Sequence, residues 1–199
     1  PSANTISEGE FNVAIGYQSL SGATTQADGN TAVGYQSMDG DWTTAAHANS
    51  VAIGRGTMRG VLTADSSGAV AIGLSALGAL TSGIGNVAVG SGSLAANATS
   101  DNNTAVGTNA LGRLTIDGEG SNTAVGYQSG RAMTLGRYNT AIGFQALQTE
   151  DVGDRSVAVG YAALYTQNSD SNNEITGNTG VGFYAGLYNV TGQNNTYIG

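Results

Sequence analysis

Few side chains in this sequence of 199 residues can do acid–base or metal chemistry: fourteen carboxylates, one histidine and six arginines, with no cysteine and no lysine. The densest group is Asp39, Asp41, Trp42 and His47, within the stretch DGDWTTAAHAN at 39–49. Asp39 and Asp41 are of the residue type a glycosidase uses as its carboxylate pair. His47 is the one base that a Ser-His-Asp site would have to employ. Neither idea gains from the spacing: loop carboxylates are common here, and nothing ties His47 to a particular serine. No enzyme is expected. The missing cysteine excludes a thiolate metal site, and the calcium-binding nonapeptide G-G-x-G-x-D is absent. The G-x-G at Gly83 to Gly85 follows no βαβ pattern, which rejects a dinucleotide. No cofactor is expected either.

Recognition chemistry remains. Trp42, beside acidic and hydroxyl residues, is suited to stacking on a sugar, or else to packing over the base of its own loop. His47 reads as a solvated loop residue. A second polar stretch, YTQNSDSNNEITG at 165–177, carries Asn168 and Asp170 and suits surface recognition or plain solvation. Binding residues tend to sit on loops held by a rigid scaffold. The candidate receptor contacts are therefore Trp42, His47, Asp39, Asp41, Asn168 and Asp170.

The elements that hold these loops are repeats. One pentapeptide, N-[TV]-A-[VI]-G in its commonest form, occurs eleven times and closes at Gly16, Gly34, Gly54, Gly73, Gly90, Gly107, Gly126, Gly143, Gly160, Gly182 and Gly199. The closing glycines lie 17 to 22 residues apart. Units this short cannot bury a core alone, so neighbours must stack. All but the last glycine are followed by two variable residues, a small one, and usually Leu or Met, as in YQSL after Gly16 and FQAL after Gly143. Stretches of Gly, Asn, Asp, Ser and Thr then lead to the next copy and read as turn and loop. All fourteen acidic residues lie outside these nine-residue blocks, as expected if the blocks are buried and the loops are wet.

Within the pentapeptide the two β-branched positions are two apart, so they share one face of a strand and alanine takes the other. Its fourth residue is Val or Ile in every copy. That pattern predicts aliphatic rungs in the core, with these side chains the most buried. The alanine column implies another backbone close by, either across the interior of a slim coil or at an axis where several chains meet. The glycine marks a bend or a close backbone approach. The asparagine that opens eight copies predicts a strand-capping ladder of amides. Tyr17, Tyr35, Tyr127, Phe144, Tyr161 and Phe183 each follow a repeat glycine and predict an aromatic column along one side.

The expected architecture is an all-β parallel solenoid of about eleven coils over residues 12–199, with residues 1–11 as a lead-in. Each coil should have a strand on the pentapeptide and usually another on the tetrapeptide after it. Rungs roughly 4.8 Å apart would make a rod about 50 Å long. Composition narrows the partners. Net charge is −8, and no basic cluster exists to hold phosphates, so nucleic acid is excluded. No run of eighteen apolar residues is present, so no membrane insertion is expected.

The segment NSVAIG at Asn49 to Gly54 and its companion copies resemble the head repeats of trimeric autotransporter adhesins. The longer forms, NTAVGYQS at 122–129 and NTAIGFQAL at 139–147, resemble repeats of bacteriophage tail fibres. The resemblance covers roughly residues 12 to 199. It implies a homotrimer about a common axis, working in attachment to a cell-surface glycan or protein receptor, alongside other virion or fibre proteins. Coils longer than those of adhesin heads, and the lack of a collar, stalk or anchor, shift the resemblance to the virion fibre. A bacterial surface adhesin head and a depolymerase tailspike are the alternatives. Fibre precursors of this kind often carry a C-terminal folding chaperone that cleaves itself away, and Gly199 closes its pentapeptide without the second half of a block.

Overall fold

The computed structural model describes residues 9–21, 27–40, 47–63 and 66–199. Each pentapeptide forms a three-residue strand: β1 Val13–Ile15, β2 Thr31–Val33, β3 Val51–Ile53, β4 Val70–Ile72 and β5 Val87–Val89. The series continues through β7 Thr104–Val106, β9 Thr123–Val125, β10 Thr140–Ile142, β11 Val157–Val159, β12 Thr179–Val181 and β13 Thr196–Ile198. These eleven strands form one parallel sheet in chain order, each paired in register with the next copy, as Ala32 with Ala52 and Ala141 with Ala158. The chain therefore completes one coil per repeat, and the protein is a parallel β-solenoid. On another side, β6 Ser100–Asp101 and β8 Gly118–Glu119 make a shorter parallel pair, and isolated bridges join Asp28 to Ala48 and Asp154 to Ile175.

The repeat glycines answer to both reasons proposed for them. Gly90 has φ +131°, and a Cβ there would lie 2.6 Å from the backbone carbonyl of Gly107. Only glycine permits both that dihedral and that approach. The tetrapeptide after it is not a second strand. It turns tightly, with non-glycine residues at positive φ two apart: Gln18 at 51° and Leu20 at 58°, then Gln36 at 54° and Met38 at 53°. Left-handed backbone costs an ordinary residue about 1–2 kcal/mol. Here it is offset by ladder bonds, such as Gln36 N–H to the Tyr17 carbonyl at 2.9 Å and Leu20 N–H to the Ser37 carbonyl at 2.9 Å. Burial of Leu20, Met38, Met58, Leu77 and Leu94 offsets it further.

The facing of the strands reverses the expectation. The alanines point inward: Ala32, Ala52, Ala71, Ala88, Ala105 and Ala124 are all fully buried. The Val and Ile side chains point outward, so that Ile53, Ile72, Ile142 and Val181 are more than a third exposed. The cause is the width of the coil. The Leu/Met column from the turn crosses the interior and leaves room for no more than a methyl group beneath the strand. Of the two readings of the alanine column, the narrow coil interior is the one observed. Where the column changes, its neighbours compensate. At Gly180 a Cβ would meet Leu164 Cγ at 2.8 Å, and the ring of Tyr197 packs over Gly186, which stands where other coils carry Leu or Met.

From Asn12 to Asn178 the asparagine column is engaged. Each of these Oδ1 atoms accepts the backbone N–H of the equivalent residue one coil on, as Asn103 to Asn86 at 3.0 Å, Asn139 to Asn122 at 2.9 Å and Ser156 to Asn139 at 2.8 Å. The Nδ2 donates to a loop carbonyl, as from Asn122 to Gly136 at 2.9 Å and from Asn139 to Gly153 at 2.8 Å. It is a strand cap, and it also ties each loop to its neighbouring coil.

Candidate binding surfaces

The two loops singled out by sequence fare differently. Trp42 and Asp41 lie outside the described residues. Asp39 is a partly buried neighbour of Arg59, with 4.0 Å between Oδ2 and Nε. His47 is not solvated: it is fully buried, which corrects its reading as an exposed loop residue and removes it from any direct receptor contact. Its Nδ1 lies 2.9 Å from Ser66 Oγ, and Ser66 gives its own proton to the Thr63 carbonyl at 2.7 Å. The imidazole is therefore assigned as the Nδ1–H tautomer. Burial lowers its pKa from 6.5 to about 4, against the opposing pull of the Thr63 carbonyl. A neutral, enclosed imidazole is a packing element.

In the 165–177 loop, Asn168 and Asp170 are exposed, whereas Gln167 between the coils is buried. Asn168 N–H is spent on the Val190 carbonyl at 2.9 Å and Asp170 N–H on Glu174 Oε2 at 3.1 Å, which leaves both side chains on the surface. Beneath them lies a buried carboxylate that sequence reasoning had assigned to solvent. Glu150 is fully enclosed and accepts from Gly153 N–H at 2.8 Å, Ser169 N–H at 3.2 Å and Gln167 Nε2 at 2.8 Å. It occupies the seventh position after its repeat glycine, as Leu80 and Leu114 do in other coils. Three aspartates two residues ahead of a pentapeptide also have structural work. Asp28, Asp101 and Asp154 each accept a backbone N–H from the preceding coil, from Glu10 and Ile84 at 2.8 Å and Arg137 at 2.7 Å. Burial raises the Asp154 pKa, against the Arg137 N–H and the charges of Arg137 and Arg155.

Two surface features stand out: one runs along all eleven strands, and the other is broken over four coils. The first is the outer face of the eleven-stranded sheet, which presents two β-branched side chains per strand in register. The second is the aromatic column. Tyr17 stacks on Tyr35 with centroids 5.4 Å apart. Tyr127, Phe144, Tyr161 and Phe183 form a continuous stack, with successive centroids at 5.3, 5.0 and 5.2 Å. Arg55, Leu74, Ser91 and Thr108 occupy the same position in the coils between. Among the described residues, no cluster of three His, Asp or Glu side chains has the arrangement of a metal site. No helix among them is long and apolar enough to cross a membrane.

The chain matches no family model, and no curated protein or solved structure is significantly similar to it. The class its geometry defines is thus architectural: a parallel β-solenoid whose coils carry individual loops.

Proposed function

We propose that this chain is the repeat region of a non-catalytic virion fibre that works as a homotrimer and attaches the particle to a host cell surface. The observation that carries the reading is the outer sheet face. Val51, Ile53, Val70, Ile72, Val87 and Val89, half-buried or exposed, form an apolar stretch that a single coil leaves partly uncovered. Apolar strips of this extent on a soluble protein usually mark an interface. Every coil repeats a β-branched pair in register, Thr or Val followed by Val or Ile, so identical copies side by side can match rung for rung. Cyclic symmetry about the long axis satisfies all copies at once. The sequence resemblance to fibre repeats supports three copies and the attachment role. The partners of such a fibre are its own copies, other fibre or virion proteins at its ends, and a glycan or protein on the cell.

Light scattering on the purified chain tests the assembly. Three chains of 19.8 kDa give an expected mass of about 59 kDa, and a stable monomer overturns the proposal. Adsorption of the labelled protein to bacterial cells, run beside a reducing-sugar assay on their surface polysaccharide, tests the role. Adsorption without sugar release is expected; turnover would turn the reading to a depolymerase.

A further inference from the structure

The column of residues that follows the aromatic one holds two hydrogen-bonded glutamine pairs, and the upper pair ends below Ala162. Gln36 Nε2 donates to Gln18 Oε1 at 3.0 Å, and Gln145 Nε2 donates to Gln128 Oε1 at 3.1 Å. In each case the upper glutamine supplies the donor. The next residue above Gln145 is Ala162, which has the same left-handed backbone, φ 50° against 55°, but no amide. Gln145 Oε1 therefore accepts no hydrogen bond from the described residues, and Ala162 itself is buried.

A groove of about 960 Å³ opens beside Gln145. This is the size of a small-molecule site, for which about 300–1,000 Å³ is usual. Its walls include Tyr161, Tyr165, Tyr184 and Tyr188, with the amides of Gln145 and Asn189 at its edges, and none of its lining residues carries a charge. Part of the wall is held in place. Tyr161 is clamped between Phe144 and Phe183 at 5.0 and 5.2 Å, and Tyr184 stands edge-on to Tyr161 at 5.4 Å. Asn189 is fixed by a turn, its N–H on the Gly186 carbonyl at 3.0 Å and its Nδ2 on the Gly192 carbonyl at 3.1 Å.

We infer that this groove binds a neutral saccharide, one pyranose ring seated against the tyrosine walls beside Gln145. The C–H face of a pyranose packs on an aromatic ring, and its ring of hydroxyls needs donors and acceptors at the rim, which the phenols and amides supply. A sugar hydroxyl donates to Gln145 Oε1, replacing the amide missing at Ala162. The absence of a cation in the walls, on a chain of net charge −8, disfavours sialylated or phosphorylated glycans. The fixed rings of Tyr161 and Tyr184 lower the ordering cost of binding.

This inference rests on the attachment reading, and the experiment separates the two. The whole protein is screened against neutral trisaccharides of glucose, galactose, mannose and N-acetylglucosamine, with sialyllactose as the acidic comparison. Saturation-transfer NMR detects weak binding, and titration ranks it. Ala162→Gln places an amide above Gln145 at a groove-lining position with the same left-handed backbone, so it competes with a ligand for Gln145 Oε1. Tyr188→Ala removes a ring that is 87% exposed and carries little of the fold. Each should weaken a neutral trisaccharide at least tenfold while circular dichroism and mass stay as in the parent. A parent that binds no neutral trisaccharide, or variants that bind it equally well, overturns the groove. Cell adsorption is measured alongside. Adsorption by parent and variants alike, with no trisaccharide bound, overturns the groove and leaves attachment standing. Trisaccharide binding lost in both variants, with no cell adsorbed by the parent, supports the groove and removes the attachment role.

Discussion

Along the strand side of the coil, from the opening asparagine to the buried Leu or Met, the same residue types recur at the same offsets and the backbone is bonded coil to coil. Along the loop side, coils differ in length, charge and in what they send into the interior. The strand side places Ala124, Ala141 and Ala158 in equivalent buried positions, whereas the loop side places Leu114, Met133, Glu150 and Gln167 in one interior column. The difference lies in tolerance. A strand-side change must fit against an identical neighbour above and below. A loop-side change needs only local hydrogen bonds, as Glu150 finds among Gly153, Ser169 and Gln167. Individual chemistry therefore collects on the loop side and where a strand-side column ends, as the upper glutamine pair does below Ala162.

The comparison breaks most sharply at glycine. Gly90→Ala on the strand side meets both a positive φ and the Gly107 carbonyl, and should cost at least about 4 kcal/mol, from strain and overpacking together. Gly118→Ala on the loop side has a positive φ of 72° and nothing within 4 Å, so it should cost only about 1 kcal/mol. Urea midpoints of the two variants measure the gap, and equal midpoints would sink the distinction.

Acid should act through the loop side. His47 has its folded pKa lowered to about 4, so its stabilising contribution is complete above the unfolded value of 6.5 and is lost as pH falls through 4. That gap corresponds to roughly 3 kcal/mol. Melting temperature should decline across this window, and His47→Gln should flatten the decline.

Cutting one tie between the two sides comes next. Asn122→Ala strands both the Asn139 N–H and the Gly136 carbonyl, at a cost of about 2 kcal/mol. Amide exchange at Asn139 should quicken well before global unfolding; unchanged protection there would refute the ladder's role. The smallest change sharpens the picture rather than breaking it. Thr108 sits one coil below the stack that begins at Tyr127, so Thr108→Tyr should add a ring and raise stability by about 0.5–1 kcal/mol. A destabilised variant would show that the column does not continue beyond its present rings.

Much of this architecture was readable from residue order. The eleven strands, their parallel register, the glycine at the bend, the capping asparagine and the aromatic column all follow from side chains recurring at fixed offsets. Stacking places equal offsets in contact, so the period itself carries the neighbour relations. The direction of the strand faces did not follow. Alternation separates Ala52 from Val51 and Ile53, but which side is inside depends on the width of the coil. That width comes from a run of left-handed residues such as Gln36 and Met38, which no local preference announces. Nor did polarity place His47 and Glu150, because burial of a polar group depends on partners like Ser66 and Ser169, nineteen residues away in the next coil. The groove is of the same kind: Gln145, Tyr161, Tyr165 and Tyr188 come from different coils and line one space only once the coils are stacked.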